Sequence, residues 1–266
     1  MTAIDSTGLG DCLLIERDGC VVNLTFNRPA ALNAIDVSTA CALRDAAKTL
    51  SADRSIRAIV FAGSGRAFIA GGDLLTLSND PITGANALLE PLNEAVSLFS
   101  EIDAPVIAKV HGVVAGAGMS LMMLADFVIA AEETKFNFAY INIGASCDVG
   151  ASWMLPRLVG LRRAFEISML GGSLSVNEAE HIGLVNRVVP RSELDVEVKA
   201  LAEKLASGPT LALGNMRRLM RNSFENDLVT QLALEKKAFL DCVQTRDFKT
   251  GVNAFLEKRV PQFLGN

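Results

Sequence analysis

Short runs rich in β-branched and aromatic residues recur from residue 12 to about residue 190, with helical periodicity between them, and this alternation confines the chain to a mixed α/β core. Residues 12–15 and 21–26 are two such runs, joined through Asp18-Gly19, the strongest hairpin signal in the chain. Asp36 stands where a cap is needed for a helix running to about Leu50, with Val37, Ala40, Cys41, Leu43 and Leu50 on its apolar face. Residues 59–62, 106–110, 127–130 and 184–189 read as further strands, and 85–102 and 118–125 as helices. Beyond about Glu193 the strand signal stops, and 201–205, 211–219, 228–242 and 252–256 keep helical periodicity to the end. With Gly208-Pro209 as the best break, the chain divides into a core of residues 1–205 and a helical appendage of residues 206–266.

Composition excludes several classes. Half the residues are hydrophobic and 21% are charged, so a packed core rather than disorder is expected. The net charge of −5 with dispersed Lys and Arg argues against an extended nucleic-acid surface and leaves room only for a local basic patch that could hold a small anion. The apolar stretch 111–125 is interrupted by Gly112, Gly116 and Gly118 and closed by Asp126, too short and too glycine-rich for a membrane span. The first ten residues have neither a basic nor an apolar leader segment, so a cytoplasmic location is expected. Five cysteines without CxxC spacing and only two histidines suggest neither a disulfide framework nor a metal site.

Two glycine-rich turns stand out. Arg66-Ala-Phe-Ile-Ala-Gly-Gly-Asp73 follows the strand ending near Ala62, and Gly112-Val-Val-Ala-Gly-Ala-Gly-Met119 leads from the strand at 106–110 into a helix. Backbone N–H groups in such turns are unpaired within their own element and can point at an anion or a polarised carbonyl. Two of them meeting would form an oxyanion hole, whereas the same turns also arise from geometry alone. GxGxxG and GK[ST] patterns are absent, which argues against dinucleotide or P-loop binding.

Six segments together resemble the crotonase family, also called the enoyl-CoA hydratase/isomerase family: Asn27-Arg28-Pro29 with Asn33-Ala34, Phe68-Ile-Ala-Gly-Gly-Asp73, the run from His111-Gly112 to Gly118, Leu155-Pro-Arg-Leu-Val-Gly160, Ala179 with Gly183-Leu-Val-Asn186, and Phe255-Leu-Glu-Lys-Arg259. The resemblance covers nearly the whole chain and implies a spiral of ββα units with a C-terminal helical trimerisation region, assembled as a homotrimer or a dimer of trimers. It implies an acyl-CoA thioester as ligand, with coenzyme A entering as part of the substrate and no separate cofactor. It also assigns the two oxyanion N–H groups to Gly72 and Ala117, the latter a position usually occupied by glycine. Ala70, Asp73, Leu74, Ser120, Tyr140, Trp153 and Phe255 are expected to contact the ligand, and Arg28, with Lys258 from a second subunit, to meet the CoA phosphates and adenine.

Removing the weakly acidic α-proton of a thioester places charge on the carbonyl oxygen, where two fixed N–H donors stabilise it. Surrounding acids and bases then set the reaction. Hydratases of the family hold water between two glutamates, at positions that here carry Ser120 and Tyr140. Asp148, in a Ser-Cys-Asp-Val-Gly run similar to dienoyl-CoA isomerases, stands at a third position used by some isomerases, and the context from Trp153 to Gly160 is similar to the ring-oxepin isomerases. One carboxylate in an apolar pocket can take a proton from one carbon and return it to another, and Trp153, Met154, Leu74 and Leu77 are expected as its walls. Acyl-CoA isomerisation with Asp148 as proton carrier is therefore the expected activity. Other enolate chemistry, such as hydration, C–C hydrolysis or decarboxylation, and a silent acyl-CoA-binding subunit are the alternatives. Tyr140 could bond a substrate or pack, Ser120 could cap or pack in its helix, and Asp148 could be a turn residue bonding its own backbone before Val149-Gly150.

Overall fold

The computed structural model describes residues 2–3, 11–78 and 80–266, so most of the N-terminal stretch in which a leader was sought lies outside the described residues. Among the described residues a seven-stranded sheet has the order β1 (Thr2–Ala3), β2 (Leu13–Asp18), β3 (Val21–Phe26), β4 (Ala58–Gly63), β6 (Val106–Val110), β8 (Phe127–Ala131) and β11 (Arg187–Val189). The first three strands are antiparallel, and β3, β4, β6, β8 and β11 run parallel. Asp18 pairs with Val21, so the hairpin loop is Gly19-Cys20, one residue beyond the Asp18-Gly19 turn expected from the sequence. The last strand is also shorter than expected, because the Leu184 and Val185 N–H groups bond back to the Ala179 carbonyl and only three residues remain to pair.

Both faces of β4, β6 and β8 are covered, which explains their nearly continuous apolar sequence, broken only by Lys109. Ile59 and Phe61 of β4 join Leu24, Phe26 and Val106 in the main core, packed against Leu43 and Leu50 of α1 (Val37–Ala52) and Leu92 and Phe99 of α3 (Pro81–Glu101). Asp36 caps α1 as expected, accepting from the Thr39 N–H at 2.8 Å, although the buried stripe is richer in alanine than in Val37 or Cys41. The opposite face, with Val60, Ile107 and Ile129, is covered by Leu194, Val198 and Ala202 of α8 (Leu194–Ala206), so the first of the C-terminal helices is a layer on the sheet.

A second sheet, with order β10 (Ser173–Ser175), β9 (Lys135–Asn137), β7 (Val113–Ala115) and β5 (Ala67–Ile69), has three-residue strands, of which β5, β7 and β9 are parallel. The two segments read as turns therefore contain strands, and the backbone outside strands and helices shrinks to Arg66, residues 70–73, Gly112 and Gly116. The repeat is regular: β4, β6 and β8 of the large sheet each pass through two or three residues into β5, β7 and β9. A helix or helical turn comes after each: α2 (Leu74–Ser78) with α3, α4 (Ala117–Leu124), and the 3₁₀ turn Tyr140–Ile143. This is the ββα repetition implied by the family resemblance.

Three helices, α5 (Ala151–Val159), α6 (Leu161–Leu170) and α7 (Val176–His181), return the chain to β11. Gly208-Pro209 lies in the turn between α8 and the last three helices, α9 (Thr210–Asn222), α10 (Leu228–Val243) and α11 (Arg246–Leu256). The side chains of Arg217 and Arg221 hold α9 to the core through Asp126, at 2.6 and 3.0 Å, and Asp126 also accepts the Val106 N–H. In the single chain α10 has no buried residue. No helix among the described residues is long and apolar enough to cross a membrane.

Candidate active site

Parallel neighbours β5, β7 and β9 end at one edge of the small sheet, and the residues just beyond them meet there. The backbones after β5 and β7 touch: a side chain added at Gly71 would lie 3.5 Å from the Ala115 carbonyl oxygen, and one added at Gly116 would lie 3.6 Å from the Gly71 Cα. Both glycines have positive φ, 118° and 48°, a backbone other residues rarely adopt. Gly72 bridges Ile35 in parallel fashion, with the Ile35 N–H on the Gly71 carbonyl and the Asp73 N–H on the Ile35 carbonyl, both at 2.8 Å. That pattern uses the flanking groups and turns the N–H of Gly72 itself away from Ile35.

Ala117 is the first residue of α4, where N–H groups have no partner within the helix and the helix dipole is positive. Its backbone is helical and the positive φ falls on Gly116, so alanine fits where the family usually has glycine. The helix is seated tightly, since a side chain at Gly118 would lie 2.1 Å from the Ile69 carbonyl oxygen of β5. Every residue of α4 is buried, Ser120 being the one polar side chain among them. The Gly116 N–H in turn bonds the Asn137 carbonyl at the end of β9, at 3.1 Å.

One turn further along α4, the buried Ser120 hydroxyl lies 2.9 Å from the Tyr140 hydroxyl, which donates to Oδ1 of Asp148. The pair sits on strained backbone: Ala139, just before Tyr140, has φ of 55°, and Val149, just after Asp148, has φ of 53°, an uncommon conformation for a β-branched residue. Burial raises the Asp148 carboxyl above the usual carboxylate range, and the Tyr140 hydrogen bond opposes that shift. Burial, reinforced by the neighbouring carboxylate, drives the Tyr140 phenol upward, so it stays protonated and keeps its hydrogen for donation. The edge thus brings the Gly72 turn against the first residue of α4 and, one helix turn on, carries a line of side chains that ends in a half-buried carboxyl suited to carrying a proton.

The structure gathers Gly72, Ala117, Ser120, Tyr140 and Asp148, with Ala70 and Asp73 flanking Gly72 and Leu74 exposed at the start of α2. Arg28 turns inward to Asp73 and Asp36, at 3.1 and 3.2 Å, and to the Ala34 carbonyl, so its guanidinium buttresses the first turn. Trp153 stacks under Arg157, 4.1 Å from guanidinium to ring, and lines an apolar groove of about 530 Å³ with Phe224 and Met220. Phe255 is 83% exposed, beside Val252 and Phe263 in another groove, and Lys258 follows the Glu257 cap of α11 with φ of 54°. The groove beside Phe255 is lined by residues between Pro209 and Asn266 and by none of those at the edge. Sequence reasoning missed Asn33, which is buried with its amide within 3.1 Å of the Ser64, Ala67 and Phe68 carbonyls and so fixes the start of β5. Its signal was present in the Asn33-Ala34 motif. His111 bonds the Gly65 carbonyl at 2.9 Å in a structural role, and burial lowers its pKa.

The fold is a two-sheet α/β spiral whose two glycine turns meet at the edge that carries the Ser120–Tyr140–Asp148 line. The family profile described as enoyl-CoA hydratase/isomerase matches residues 16–266, and the chain belongs to that family. It is 37% identical over 249 residues to the 1,2-epoxyphenylacetyl-CoA isomerase of Escherichia coli (92% of this chain, 95% of that one). It is 32% identical to the crotonyl-CoA hydratase of Syntrophomonas wolfei over 253 residues (95% of this chain, 97% of that one). Among solved structures it resembles an enoyl-CoA hydratase of Mycobacterium smegmatis with a TM-score of 0.90 and 35% identity, covering 96% of this chain and 99% of that one. Its chemistry is accordingly the acyl-CoA enolate chemistry of the family.

Proposed function

We propose that this chain is an acyl-CoA isomerase that shifts a carbon–carbon double bond, with the Gly72 and Ala117 N–H groups on the thioester oxygen and Asp148 as proton carrier. The observation that carries this reading is the line of side chains from Ser120 through Tyr140 to Asp148, in which only the last is a carboxylate. In a 3-enoyl thioester the α-C–H bond breaks, its proton passes to Asp148 and its electron pair moves into a dienolate whose oxygen faces the two donors. Returning the proton to the γ-carbon closes the 2-enoyl product with no net proton change. Water activation by the hydratase route would need carboxylates at both positions, where Ser120 and Tyr140 stand. The similarity to a relative named an isomerase supports the same reading, and relatives named hydratases make the comparison of activities informative.

The test is turnover of a 3-enoyl-CoA beside hydration of crotonyl-CoA. Isomerisation should dominate, and Asp148→Asn should lower it at least ~100-fold while leaving the affinity for a saturated acyl-CoA nearly unchanged. Efficient hydration, or normal isomerisation by the variant, would refute the assignment. The apolar residues that α10 and α11 expose, including Leu228, Val229, Leu232 and Phe239, support a homotrimer or hexamer in which a second copy covers them. Sedimentation should give one of those masses, and a stable monomer at micromolar concentration would contradict it.

A further inference from the structure

Tyrosine has one hydroxyl hydrogen, and in this structure it is committed to Oδ1 of Asp148. The 2.9 Å contact with Ser120 is therefore made by the serine donating to the phenolic oxygen, which gives the line one direction, from Ser120 to Tyr140 to Asp148. Reversing it would require the serine hydrogen to go to the Gly116 carbonyl, 3.5 Å away, at the limit of a hydrogen bond. A proton arriving on the carboxyl finds Oδ1 already facing a hydrogen and is directed to Oδ2. Resting on the isomerase reading, we propose that Tyr140, oriented by Ser120, is a positioning residue: it holds Oδ1 of Asp148 in both protonation states and leaves Oδ2 to take and return the substrate proton.

The surroundings favour a fixed tether. Ser120 and Tyr140 are buried, Ser120 on a helix with no exposed residue, and the bond to Asp148 joins a 3₁₀ turn to a loop with left-handed residues next to the bonded pair, Ala139 and Val149. Such backbone persists when surrounding contacts over-determine it. Among the described residues Tyr140 is the titratable side chain that bonds the carboxyl, and no charged side chain adds to its upward shift. The tether is thus the one specific interaction that favours the ionised carboxyl through a side chain, against its burial.

The experiment compares wild type, Tyr140→Phe and Ser120→Ala by the pH profile of 3-enoyl-CoA isomerisation and by ¹³C NMR titration of the Asp148 carboxyl, with Asp148→Asn to assign the resonance. Tyr140→Phe should hold KM within about twofold and lower kcat about tenfold or more. Loss of a hydrogen bond to the charged form should move both the acid limb and the carboxyl titration upward by ~0.5 pH units or more. Ser120→Ala should move both in the same direction by less. A folded Tyr140→Phe with an unmoved acid limb and unmoved titration overturns the proposal, even where its thermal stability drops. If that variant does not fold, an unmoved titration in Ser120→Ala overturns it instead. An inactive Asp148→Asn beside an unaffected Tyr140→Phe would leave the isomerase reading standing and the tether refuted. An active Asp148→Asn would refute the proton-carrier reading, and the proton-routing proposal with it.

Discussion

The two sheets use the same parallel geometry for different ends. In the large sheet the central strands β4, β6 and β8, of five or six residues, are buried on both faces, with Ile59 and Phe61 turned to one core and Val60 to the other. In the small sheet each strand has three residues, and inward burial in β7 and β9 comes from a single central side chain, Val114 or Phe136. The large sheet stabilises by area. The small one aligns three chain segments so that the residues beyond their ends, Gly72, Ala117 and Tyr140, arrive at one edge. A change in the first should therefore register mainly in stability, and a change in the second mainly in geometry at the donors.

The largest effect expected from this contrast is at Gly118. An alanine there would place its Cβ 2.1 Å from the Ile69 carbonyl oxygen, so α4 must retreat from β5 and carry the Ala117 N–H away from Gly72. Overpacking of this kind costs ~1–3 kcal/mol, and a displacement of about 1 Å at reacting groups can cost on the order of 100-fold in rate. Gly118→Ala should thus lose more than ~100-fold in acyl-CoA turnover together with a lower Tm. Ala130→Val, an overpacking of the large sheet, should lower Tm comparably and leave the turnover of the folded fraction close to wild type. Equal loss of turnover in both would break the contrast.

Sequence legibility followed the same division. The strands at 59–62, 106–110 and 127–130 and the Asp36 cap were readable because long apolar runs and a capping carboxylate leave local signals. Strands β5, β7 and β9 left none, because three residues are too few for a period to show and their pairing depends on distant partners. The glycines announced the turns and their chemistry. That Gly71 and Gly116 meet is a fact of topology, which the family resemblance supplied and periodicity could not. The line from Ser120 to Asp148 was equally invisible, since it joins a helix, a 3₁₀ turn and a loop whose approach depends on the fold.

Next in size is the first donor. An alanine Cβ at Gly72 would meet only the Leu88 side chain, at 3.4 Å, and Gly72 does not need a positive φ. Gly72→Ala should therefore retain most of the wild-type turnover. Gly72→Pro removes the N–H itself and should lower kcat by ~100- to 1000-fold, the usual scale for one oxyanion donor. Assaying the two side by side, with circular dichroism to confirm folding, separates loss of the donor from crowding. Equal losses would mean that space at this turn matters and the N–H does not.

The smallest expected effect is the most discriminating, because it has the opposite sign from an ordinary core defect. Burial raises the Asp148 pKa in the folded protein, so between its unfolded and folded values the native state binds more protons than the unfolded state. Stability contributed by this group is then fully present below the unfolded pKa, declines as pH rises through the folded pKa, and stays at the lower level at neutral pH. Asp148→Asn cannot ionise and escapes that decline. Its Tm at pH 7 should equal or exceed that of wild type, with the difference shrinking as pH falls toward ~3.8, the ordinary value for an aspartate. An aspartate kept only to shape the turn before Val149 predicts the reverse, a lower Tm at neutral pH with turnover retained. Thermal melts of the two proteins across that pH range therefore distinguish a carboxyl held at a cost for chemistry from one held for the fold.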